Sequence, residues 1–79
     1  MIQADKWHGR LYSHYFWVDA RVSRQNGQWL ASVDAPHGPT LAWGRTALVA
    51  LVEALEPFEG MTMELIRSAP PDLLKLLEA

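Results

Sequence analysis

The sequence predicts an α+β domain: a three-stranded antiparallel meander, a crossover helix, a fourth strand and a short C-terminal helix. Three observations predict it. Apolar residues alternate on both sides of Asn26-Gly27, a short extended run stops at Gly44-Arg45-Thr46, and an almost uninterrupted apolar segment follows Thr46.

Residues 1 to 11 have mixed polarity and read as an arm or an edge strand. From Tyr15 the period becomes two: Phe16, Val18, Ala20 and Val22 share one face, and Trp17, Asp19, Arg21 and Ser23 share the other. Asn26-Gly27 is the strongest short-range hairpin signal, because both residues tolerate positive φ. The return strand, Trp29 to Ala35, puts Trp29, Ala31 and Val33 opposite Leu30, Ser32 and Asp34. Pro36-His37-Gly38-Pro39 closes it, since proline cannot donate to a ladder and glycine invites reversal. Thr40 to Trp43 forms the third strand.

Thr46 is placed to cap the helix that follows, its hydroxyl accepting from the free amides of the first turn. Leu48, Leu51, Val52 and Leu55 recur at helical spacing and are expected to face the sheet, with Ala47, Ala50 and Ala54 allowing close approach. The expected core is Phe16, Val18, Ala20, Val22, Val33, Leu48, Leu51, Val52 and Leu55. Met61 to Arg67 alternates and reads as the fourth strand. Pro70 or Pro71 then opens a last helix, Asp72 to Ala79, whose leucines must dock to be stable.

At 79 residues the chain holds one domain, and a domain of that size buries only about 60% of its unfolded surface. Disulfides and thiolate zinc sites are excluded by the absence of cysteine, so self-association is the expected route to extra stability. The net charge of −2, with seven basic and nine acidic side chains, argues against binding duplex DNA, which calls for clustered Lys and Arg. No transmembrane run or signal segment is visible, and the chain reads as cytoplasmic.

The run Gln25-Asn26-Gly27-Gln28-Trp29, Ala31-Ser32-Val33, Pro36-His37-Gly38-Pro39, Gly44-Arg45-Thr46 and Val52-Glu53-Ala54-Leu55 resembles the HicB-like antitoxin family over roughly residues 15–58. The resemblance implies a partial ribonuclease-H-like sheet, its fourth strand parallel to the first after a right-handed helical crossover. It also implies an antitoxin that sequesters a small toxin ribonuclease, often as a dimer. Arg45 stands where the family has an acidic residue, and Val49 and Leu51 where it favours Glu. No room follows Leu65 for an appended DNA-binding segment.

No catalytic constellation emerges from the residues, and the chain reads as non-enzymatic. His8, His14 and His37 lack metal-ligand spacing. Asp19 and Asp34 on facing strands are too few for a two-metal carboxylate cluster and are expected to pair with Arg21 or Arg24. No Gly-x-Ser-x-Gly elbow or phosphate loop occurs, and no cofactor is implied. The four tryptophans, in contrast, exceed what so small a core can absorb. If Phe16 and Val18 face the helix, Trp17 shares the outer sheet face with Arg21 and Leu30, a composition suited to contact with a partner protein or a second copy. Trp17, Arg21, Leu30 and Trp43 are therefore the expected contact residues. A small-ligand pocket between helix and sheet is the alternative, and base stacking on the same aromatics is disfavoured by the acidic balance.

Overall fold

A computed structural model describes residues 5–36 and 38–78. Four strands, β1 (Lys6–Tyr12), β2 (Trp17–Gln25), β3 (Gln28–Ala35) and β4 (Gly38–Gly44), form one antiparallel sheet in the order β1-β2-β3-β4. Three short helices follow: α1 (Ala47–Ala54), α2 (Thr62–Arg67) and α3 (Pro71–Leu77), with a 3-10 turn at Glu56–Phe58. The α+β class is as the sequence predicts.

The central hairpin forms where Asn26 and Gly27 take positive φ, 52° and 80°, the pair of left-handed residues a tight turn with strand-matching twist requires. Its register pairs Gln25 with Gln28 and Ala20 with Val33. One face of the sheet therefore collects Leu11, Val18, Ala20, Val22, Ala31 and Val33, all buried. Thr46 caps α1 as expected, its Oγ1 accepting from the Val49 amide at 3.1 Å. Leu73, Leu76 and Leu77 of α3 bury against the same core, so the last helix docks on its own chain. Each fully buried Val or Leu contributes about 1.5–3 kcal/mol relative to exposure.

The fourth strand expected at Met61–Arg67 is a helix instead, α2, and there is no crossover to a parallel strand among the described residues. Alternation would have buried Met61, Met63 and Leu65 together. Only Leu65 is buried, and Met63 is 61% exposed. Glu64 in the first turn and Arg67 in the last complement the helix dipole, and Met, Leu, Glu and Arg are all good helix formers. The sheet position beside β2 that the crossover strand would have taken is filled by β1, running antiparallel. Residues 6–12 are thus an edge strand, while positions 1–4 of the expected arm lie outside the described residues, as does Ala79 at the end of the last helix.

The buried stripe of α1 is shifted by one position. Ala47, Ala50, Leu51, Ala54 and Leu55 face the sheet, whereas Leu48 and Val52, expected in the core, are 40% and 42% exposed. The cause is closeness. A Cβ built on Gly44 would lie 2.6 Å from the Ala50 nitrogen and 3.0 Å from Val49 Cγ1, so the first turns of the helix rest directly on the β4 backbone. Thr40 Oγ1 donates to the Ala54 carbonyl at 2.7 Å and fixes the other end of the helix to the same strand. Phe16 is half-buried rather than central, stacked on Phe58 with ring centroids 5.3 Å apart.

Candidate interaction face

All helices cover one face of the sheet, and the other is bare among the described residues. Because side chains alternate along a strand, the residues between the core positions must project from that bare face. Cross-strand pairing arranges them in rows. Lys6, Ser23, Leu30 and Trp43 form one row, and His8, Arg21, Ser32 and Leu41 form the next. Arg10 lies opposite Asp19, Asp34 opposite Pro39, and Tyr12 opposite Trp17.

The four residues expected to make contacts all lie on this face, but they are not one cluster. Leu30 and Trp43 are direct cross-strand neighbours, joined by Leu41 two residues along β4. Trp17 lies at the far end of β2, four residues from Arg21, or about 13 Å at strand rise. It belongs instead with Tyr12 and Arg10. Two apolar centres result, one of Leu30, Leu41 and Trp43, the other of Tyr12 and Trp17. Leu41 is 68% exposed, Trp43 52% and Trp17 48%. Between the two centres runs a polar belt holding His8, Arg21, Ser32 and Asp19.

Arg10 organises the second centre. Its Nε donates to Asp19 Oδ1 at 3.3 Å, and its guanidinium carbon lies 3.8 Å from the Trp17 ring centroid. The ion pair is surface-exposed and contributes about 0.2–1 kcal/mol. Stacking on the indole adds a comparable amount and holds both groups in one orientation. The cross-strand partner of Asp19 is therefore Arg10 from β1, not Arg21 or Arg24. Arg10, Tyr12 and Leu41 were not foreseen as part of the face, the first two because the strand that carries them was read as a possible arm. The signal was present: Lys6, His8, Arg10 and Tyr12 alternate with Trp7, Gly9 and Leu11.

Charge is divided between the layers. Lys6, Arg10 and Arg21 stand on the bare face with Asp19 and Asp34, while Glu53, Glu56, Glu59, Glu64 and Asp72 lie on or between the helices. Among the described residues no three His, Asp or Glu side chains gather as a metal site. His8 is on the bare face, and His14 Nδ1 lies 3.2 Å from Glu64 Oε1. His37 lies outside the described residues. The concavities are open depressions rather than enclosed cavities. One of about 420 Å³ lies between Tyr12, His14, Glu64 and Ser68, one of about 340 Å³ runs between Trp7 and Arg21 at the β1 edge, and one of about 330 Å³ lies beside Pro39 and Phe58. The space between α1 and the sheet, where a ligand pocket was the alternative, is filled by Ala47, Ala50, Leu51 and Ala54.

No helix among the described residues is long and apolar enough to cross a membrane. Comparison with family models, with curated proteins and with solved structures finds no match to this chain.

Proposed function

We propose that this chain is a non-enzymatic protein-interaction domain that self-associates and holds a partner protein on the bare face of its sheet. The observation that carries the reading is the composition of that face. Two aromatic-aliphatic centres flank a belt with Arg21: Leu41 and Trp43 lie exposed beside half-buried Leu30, and Tyr12 and Trp17 lie exposed at the other end, whereas Trp29 is buried with aliphatic side chains in the core. Trp, Tyr and Arg concentrate binding energy when a partner excludes water from them, and exposed apolar patches of this kind mark contact sites. The resemblance to HicB-like antitoxins makes a small toxin ribonuclease the partner class to try first.

Photocrosslinking in cells from a reactive amino acid at position 17 or position 30 tests the reading. Protein adducts that disappear when Arg21→Ala is added are the expected result. Absence of any protein adduct, or saturable quenching of tryptophan fluorescence by a single-stranded oligonucleotide, would overturn it, the second outcome pointing to base stacking on the same rings.

A further inference from the structure

We propose that two copies of this chain join through β4, pairing antiparallel about a two-fold axis at Ala42 to make one continuous eight-stranded sheet. The inference deepens the self-association proposed above and rests on it, and names the β4 edge, where Leu41 and Trp43 also border the face that holds a partner.

Among the described residues β4 has one strand neighbour, β3, so its second edge is open. Sheet edges are ordinarily protected by charge, inward-pointing lysine or a covering element. This one carries no charged residue from Gly38 to Gly44. Its single guard is Pro39, near the start. Proline is tolerated in a ladder only where its nitrogen points away from the neighbouring strand, and the alternation of an antiparallel ladder then turns the Leu41 and Trp43 amides outward as well. Two donors and their carbonyls are therefore available on the free edge.

These groups choose the register. With Ala42 on the axis, Leu41 faces Trp43 of the second copy, and both copies exchange their free amides and carbonyls in two such pairs. A register that sets Pro39 opposite Leu41 or Trp43 loses a donor within the strand. Three further features agree with this arrangement. On the bare face, Leu41 and Trp43, 68% and 52% exposed, become cross-strand neighbours. On the helix side, α1 packs over β4 and β3 and leaves Leu48, Val49 and Val52 exposed. Charge also matches: Arg45, immediately after the strand, falls opposite Pro39 of the second copy, whose cross-strand neighbour is Asp34. Carried one residue past Gly44, the alternation of β4 would set Arg45 on the face of Asp34, about 10 Å away at strand spacing, and neither makes an ion pair among the described residues.

Sedimentation of the full chain at tens of micromolar, with circular dichroism to verify folding, tests the proposal. The wild-type protein is expected to be a dimer, and Leu41→Pro, which removes one outward amide and keeps the inward ladder, a folded monomer. Asp34→Arg or Arg45→Asp alone should weaken the dimer about fivefold, and the double variant should restore it. Trp17→Ala, distant from the edge, should leave it intact while losing partner adducts, which separates failure of this proposal from failure of the partner reading. A wild-type monomer, a dimer that survives Leu41→Pro, or dissociation by Trp17→Ala would each overturn it. If Leu41→Pro does not fold, the charge exchange decides: no weakening by either single variant, or no restoration by the double, rejects the edge.

Discussion

The two faces of the sheet are built from the same strands, residue by alternate residue, yet they differ in nearly every physical respect. The covered face is apolar: Val18, Ala20, Val22, Ala31 and Val33 are at most 2% exposed, sealed by Leu51, Leu55, Leu65 and Leu73, with Trp29 buried and Trp7 packed at its margin. The bare face carries bulk and charge, with indoles, guanidinium groups and carboxylates. Stability resides on the first face because burial is complete at its centre, on β2 and β3. The second face retains large side chains that contribute little to folding, and this contrast is the physical ground for assigning contact to it.

Substitutions on each side sharpen the contrast. The largest effect is expected from Leu51→Ala, which empties a fully buried position beneath α1. A loss of about 2–5 kcal/mol in chemical denaturation is the expected cost, enough to unfold a domain of this size outright. Gly44→Ala comes next, because its new methyl meets the Ala50 backbone nitrogen rather than a movable side chain. A loss of about 1–3 kcal/mol is expected, with α1 displaced from β4 in amide chemical shifts. Thr46→Ala removes the cap on the Val49 amide and should lower stability by about 1 kcal/mol. For a domain this small that corresponds to a fall in Tm of about 4–8 °C. Trp17→Ala should be the mildest of the four in thermal unfolding, costing about 0.5–1 kcal/mol through the lost Arg10 stack. If Trp17→Ala destabilised the chain as much as Leu51→Ala, the division between a folding face and a contact face would collapse.

Much of the covered face was legible because period-two alternation is a direct imprint of a half-buried strand. Phe16 to Val22 and Trp29 to Val33 gave the hairpin, its register and its inner face, and Asn26-Gly27 gave the turn. α1 was legible as a helix but not in its rotation. With Ala47, Leu48, Val49, Ala50, Leu51 and Val52 in succession, two apolar stripes one residue apart satisfy the same spacing. The choice between them is made by the Gly44 contact, which is tertiary. Met61–Arg67 failed for a related reason: in seven residues alternation and helical periodicity share several positions, and intrinsic propensity with end charges decides. The bare face was legible as a set of residues, since all four named side chains project from it, but not as two separate centres, because that division depends on β1 and on the pairing of Trp43 with Leu30.

One hydrogen bond carries a consequence for how the molecule is made. The Tyr12 amide donates to Ser68 Oγ at 2.8 Å across 56 residues, and that hydroxyl in turn donates to the Leu65 carbonyl. During synthesis the hairpin of β2 and β3 has its turn and both partners early, whereas Tyr12 waits for a serine that leaves the ribosome only near the end. β1 can pair with β2 along its length as soon as both have emerged, but the amide at its C-terminal end stays without this partner until Ser68 follows.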